Sequence, residues 1–93
     1  MVAQRLPVKD LDPATAAAVA RALRRIRPTV FKVGHEDRGT TIALRVTASA
    51  SGRRNAAARI LTALAAGGLA LAADDPIETL AAGGEHLVVR RAG

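Results

Sequence analysis

The passage Ala48-Ser49-Ala50-Ser51-Gly52-Arg53-Arg54-Asn55 combines residue types suited to holding an anion. It leads from an alternating apolar segment into a helical one, so Arg53 and Arg54 are expected at a helix N-terminus. That end disfavours positive charge by about 0.3 to 1 kcal/mol per residue, and a bound phosphate reverses the penalty. Ser49 and Ser51 add hydroxyl donors, Gly52 permits close backbone approach, and each guanidinium offers a fork of donors matched to phosphate oxygens. Arg45 and Lys32, on the preceding strands, extend the candidate set. The competing reading is a Ser51 cap followed by solvated arginines in an arginine-rich chain. Neither GxxxxGK[ST] nor GxGxxG is present, so no nucleotide fingerprint supports the passage.

Other titratable groups carry less. His35-Glu36-Asp37 is the one place where a histidine adjoins carboxylates, and it falls in an expected turn, where neighbouring residues rarely converge on one metal. A second ligand set would require His86 to fold close. Asp74 and Asp75 precede Pro76 and read as helix-capping residues rather than an acid-base pair. Arg21, Arg24, Arg25 and Arg27 gather at the expected C-terminal end of the first helix, where cations offset the helix dipole. No serine, histidine and acid set stands out. The expectation is therefore a non-enzymatic chain, with no metal and no cofactor.

The elements that position these groups follow from periodicity. Residues 2–8 suit a short edge strand, given Pro7. Asp12-Pro13 reads as the start of a helix running to about Arg27, with Ala16, Val19, Leu23 and Ile26 on its apolar stripe. Residues 29–33 and 40–48 flank a polar stretch bounded by Gly34 and Gly39 and read as a hairpin. In the second strand Ile42, Leu44, Val46 and Ala48 alternate with Thr41, Ala43, Arg45 and Thr47, which predicts one buried face and one wet face. A second helix spans residues 52–66, capped by Ser51, with Ala57, Ile60, Leu61 and Leu64 inward and Gly67 as the left-handed residue at its end. Asp75-Pro76-Ile77-Glu78 opens a short third helix ending at Gly83-Gly84. Residues 69–72 and 86–91 compete to be the fourth strand. The simplest assembly is one α+β domain over residues 1–93. It is a ferredoxin-like split βαβ sandwich, with an antiparallel sheet and two main helices on one face. An α-β-β-α-β two-layer arrangement is the alternative.

Composition bounds the function. The net charge is +6, and 12 of the 14 basic residues are arginine, which favours nucleic acid or acidic protein as partner. The same Ala-, Arg- and Gly-rich composition is what GC-rich coding produces, so charge alone does not establish such a partner. Alanine supplies 22 residues, whereas Leu, Ile, Val and Phe together supply only 23. The core is thin, and Phe31 is the single aromatic residue, so association with another copy or a partner would help such a chain. Base stacking of the kind used in single-stranded RNA recognition has no platform here. The longest apolar run, residues 60–73, is interrupted by Gly67 and Gly68 and is too short to span a bilayer. The N-terminus lacks the apolar stretch of a secretion signal, and a cytoplasmic location is expected. Two roles fit these limits. One is a small basic module contacting nucleic-acid or other phosphate backbones through arginines. The other is a structural or regulatory subunit of an oligomeric assembly.

Overall fold

A computed structural model describes residues 12–46 and 48–92. The elements run α1 (Ala16–Ala22), β1 (Phe31–Glu36), β2 (Gly39–Leu44), α2 (Ala50–Ala66), β3 (Leu69–Leu71), α3 (Pro76–Ala81) and β4 (Leu87–Arg91). The four strands form one sheet in the order β1-β2-β4-β3, with every neighbouring pair antiparallel. The α+β architecture is thus as the sequence predicts. Because β2 and β3 both run antiparallel to β4, they are parallel to each other. Together with α2 they make a βαβ unit split by β4. Residues 69–71 and 87–91 do not compete for one place, since both are strands and they pair with each other. The expected strand at residues 2–8 lies outside the described residues.

Helix α1 starts later and ends earlier than its sequence suggests. Asp12 does not cap it. Its carbonyl accepts from the Arg91 N–H at 2.8 Å, and the Ala14 N–H donates to the Val89 carbonyl at 2.9 Å, so residues 12–14 extend alongside β4. Pro13 sits opposite Arg90 between these two bonds, where its missing N–H faces away from the ladder. Two sheet hydrogen bonds outweigh one local cap of about 1 kcal/mol. Thr15 then caps the helix, its Oγ1 accepting from the Ala18 N–H at 3.1 Å. The helix closes at Ala22, and Leu23 to Ile26 continue as a turn, ahead of Pro28. Val19 and Leu23 are buried, whereas Ala16 is exposed rather than part of the stripe.

The hairpin is tighter than expected. Strand β1 continues through Gly34, His35 and Glu36, leaving only Asp37-Arg38 between the strands. Gly34 is needed there, because a Cβ would lie 2.7 Å from Thr41 Oγ1 across the ladder. Strand β2 ends at Leu44, short of the residues 40–48 that alternation suggests, and Thr47 lies outside the described residues. The predicted wet face is dry at the β2–β4 pairing, where Thr41 stands opposite Val88 and both are buried. Gly39 packs against Pro13 and Val88 on that side.

Helix α2 carries the largest share of the core. Ala57, Ile60 and Leu64 are fully buried against Ile42, Leu69, Leu71, Leu80 and Val89, with Val19 and Leu23 of α1 in the same cluster. Phe31, Val33, Leu44 and Leu61 pack on its margin. Small residues let α1 and α2 close on each other. A Cβ at Gly67 would lie 2.9 Å from Ala22 Cβ. Gly67 itself has φ −90, and the left-handed residue ending α2 is Gly68, at φ +75, one position later than expected. Helix α3 begins as predicted, with Asp75 Oδ1 accepting from the Glu78 N–H and Pro76 at the first helical position.

Candidate phosphate-binding surface

The start of α2 differs from its sequence reading in one respect that matters for anions. Ser49, not Ser51, is the N-cap, its Oγ accepting from the Gly52 N–H at 3.2 Å. Capping there adds two helical residues, because the Arg53 N–H then bonds the Ser49 carbonyl at 2.9 Å. Arg53 and Arg54 occupy the fourth and fifth helical positions rather than the first turn. Their backbone N–H groups lie beyond the unpaired donors of the helix end. Ser51 is exposed, and Gly52 allows the cap to close, since a Cβ on it would stand 3.1 Å from Ala48 Cβ.

The two arginines differ in their surroundings. Arg54 Nε lies 2.8 Å from Glu78 Oε1, an exposed ion pair tying α2 to α3. Arg53 is half-buried, and its Nη2 lies beside Gly83, just past the end of α3, where a Cβ would stand 3.4 Å from it. Its Nε is shielded from solvent and has no hydrogen-bond partner among the described residues. Arg53 and Arg45 line one open groove with Leu44, Val46 and Ala48. A second groove, of about 420 Å³, is lined by Arg25, Arg27 and Arg59 over a floor of Ile26, Val30, Val46 and Ala56. Val46 belongs to both, so the grooves adjoin. Arg53, Ala56 and Arg59 follow at i, i+3 and i+6 along α2 and so project from neighbouring positions on one face. Among the described residues no acidic side chain lines either groove.

Of the residues nominated by sequence, Arg45 and Arg53 are brought together and Arg54 is drawn off into an ion pair. Ser49 serves as a cap, while Ser51 and Gly52 line neither groove. Lys32 belongs elsewhere. It lines a shallow depression of about 160 Å³ with Gly34, Glu36, Thr41, Glu85 and His86, on the hairpin. By register Lys32 and Arg90 lie on the same face of the sheet, two strands apart, whereas Arg91, opposite Leu69, lies on the other face. Arg25, Arg27 and Arg59 were legible only in part. The Arg53 to Arg59 spacing marks a shared helix face, but assigning Arg25 and Arg27 to a helix end concealed their place in a connection lining a groove.

His86 does fold close to the hairpin. Its Nδ1 hydrogen-bonds Glu36 Oε2, its carbonyl accepts from Arg38 Nη2 at 3.3 Å, and Arg38 lies 3.7 Å from Glu36 Oε1. His86 holds φ +61, the sole non-glycine residue in the left-handed region among those described. The hydrogen bond from His86 holds the Glu36 carboxyl below its ordinary value; desolvation opposes it, and the charges of His86 and Arg38 add smaller downward effects. This clasp joins residues 50 apart in the chain, which no local spacing signals. Among the described residues no group of three or more His, Cys, Asp or Glu could hold a metal, and no helix is long and apolar enough to cross a membrane. Comparisons with protein-family models, with curated proteins and with solved structures find no match for this chain.

Proposed function

We propose that this protein is a non-enzymatic cytoplasmic binding module that contacts the phosphate backbone of nucleic acid through Arg25, Arg27, Arg45, Arg53 and Arg59. The observation carrying this reading is that two adjoining grooves share Val46 and are lined by these five arginines, with no carboxylate among the described residues that line them. Arginine is weakly hydrated and presents paired N–H groups in a planar fork, so the solvent-facing donors of these guanidinium groups match phosphate oxygens. With one aromatic residue in the chain, at the core margin, affinity rests on charge rather than on base stacking, and duplex backbone is the favoured target.

Fluorescence anisotropy with a labelled duplex, titrated at several salt concentrations, tests the proposal. Binding should weaken steeply with salt, with a slope in log K against log salt of about −0.9 for each phosphate contacted. Replacing Arg53 and Arg59 together by alanine should flatten the slope by about two such contacts. Binding that is absent at low salt, or that is equally tight in this double variant, refutes the reading.

A further inference from the structure

We infer that β1 is a self-complementary edge through which two copies of this chain pair into one continuous sheet. Among the described residues strand β1 is terminal in the sheet; it is six residues long, has no proline, and pairs without a bulge, whereas the opposite edge, β3, has three residues. An edge of that length is a template for a further strand. The backbone register defines what it offers. The Arg45 N–H donates to the Val30 carbonyl at 2.8 Å, making residues 30 and 45 a hydrogen-bonded pair. Bonded and non-bonded pairs alternate in an antiparallel ladder, so Lys32, Gly34 and Glu36 direct their backbone groups to β2. Phe31, Val33 and His35 therefore direct theirs outward.

A second β1 running antiparallel can bond these groups in registers that oppose odd-numbered residues. When Val33 faces His35 of the second copy, Gly34 meets Gly34 at the two-fold axis, where no side chain obstructs the approach. Lys32 then stands opposite Glu36 of the second copy, twice over by symmetry, on one face of the sheet. These are non-bonded pairs, in which opposing Cα atoms approach to about 4.5 Å and side chains interact most closely. The neighbouring register, with Val33 opposite Val33, sets Lys32 against Gly34 and Glu36 against Val30, leaving both charges without a cross-strand counterpart. Charge complementarity thus selects both the occupant and the register. Glu36 retains its charge in this role because His86 and Arg38 already favour the carboxylate, and a carboxylate has acceptor sites for further donors.

Sedimentation equilibrium of the full chain over a wide concentration range is the test. The expected result is a reversible monomer–dimer equilibrium. Lys32→Glu, at an exposed position, should weaken the dimer about tenfold, since two attractive pairs become repulsive. Val33→Pro removes one outward N–H without taking a bond from the β1–β2 ladder, and it should abolish dimerisation while leaving the circular dichroism spectrum unchanged. The chain has no cysteine, so register is read directly by mixing Lys32→Cys with Glu36→Cys protein under oxidation. The mixture should form a disulfide-linked dimer and each variant alone should not. A wild-type chain that stays monomeric throughout, or a dimer equally stable in Lys32→Glu, overturns the inference.

Discussion

The location of the α2 cap yields a prediction with opposite outcomes at two serines two residues apart. Ser49 Oγ accepts from the Gly52 N–H at 3.2 Å, in an exposed setting. Ser49→Ala leaves that N–H to water and should cost about 1 kcal/mol, within the range for such caps. For a chain of this size, that lowers the unfolding midpoint by about 4 to 8 °C. Ser51 lies inside the helix and makes no capping bond. Ser51→Ala removes a residue of lower helix propensity and should leave the midpoint unchanged or raise it slightly, by an amount set by a gain of at most about 0.5 kcal/mol. Thermal and urea unfolding followed by circular dichroism at 222 nm, a standard helix signal chosen because the chain lacks Trp and Tyr, resolves the two. If Ser51→Ala destabilises more than Ser49→Ala, the helix starts at residue 52. Arg53 and Arg54 would then stand among free N–H groups, and the placement of the guanidinium groups derived above would be wrong.

Three further outcomes follow from particular contacts. In a double-mutant cycle of Arg54→Ala and Glu78→Ala, the coupling should be small, about 0.2 to 1 kcal/mol, because both side chains are more than half exposed; the unfolding free energies of the four proteins measure it. Gly34→Ala should destabilise by about 1 to 3 kcal/mol, since its Cβ would meet Thr41 Oγ1, and Thr41 is only 6% exposed and has little room to retreat; urea unfolding with an unchanged slope would verify it. Glu36 has a folded-state pKa below its unfolded one, so the folded form binds fewer protons in that interval. Its stabilising contribution is full above the ordinary carboxylate range and is lost as pH falls through the lowered value. The stability difference between wild type and Glu36→Gln should therefore shrink on acidification, and a difference that stays constant with pH would count against the His86 clasp.

How much of this was readable beforehand depends on the range of the interaction involved. Asp75-Pro76-Ile77-Glu78 announced α3 correctly because capping is settled within four residues. Asp12-Pro13 carried the same local signal and failed, because Arg91 and Val89, nearly eighty residues away, claim the backbone groups on either side of Pro13. Ser49 and Ser51 were chemically equivalent as caps. The choice between them follows from where β2 releases the chain, and alternation had carried that strand beyond Leu44. The candidate surface shows the same division. Arg45 and Arg53 were found from their nearness to one strand–helix junction, whereas Arg25 and Arg27 join them only through tertiary packing around Val46.

The thinness of the core bears on how any test of these arginines must be designed. Alanine- and glycine-rich contacts such as Gly67 against Ala22 bring helices close without filling much volume, and the larger arginine groove is lined by arginine side chains together with Ile26, Val30, Val46 and Ala56. Arg25, Arg27 and Arg59 are exposed and line that groove with apolar residues, a setting in which arginine stems cover apolar surface while the charged ends stay in water. An alanine variant therefore removes packing together with charge, and loss of binding in Arg59→Ala has two causes. Arg59→Lys keeps the charge and most of the stem but removes the guanidinium fork, whereas Arg59→Met keeps the stem alone. If phosphate is held by paired N–H groups, lysine should bind more weakly than arginine while keeping a similar salt slope, and methionine should lose about one contact from the slope. If methionine binds as arginine does, the guanidinium at this position serves only to cover the groove floor.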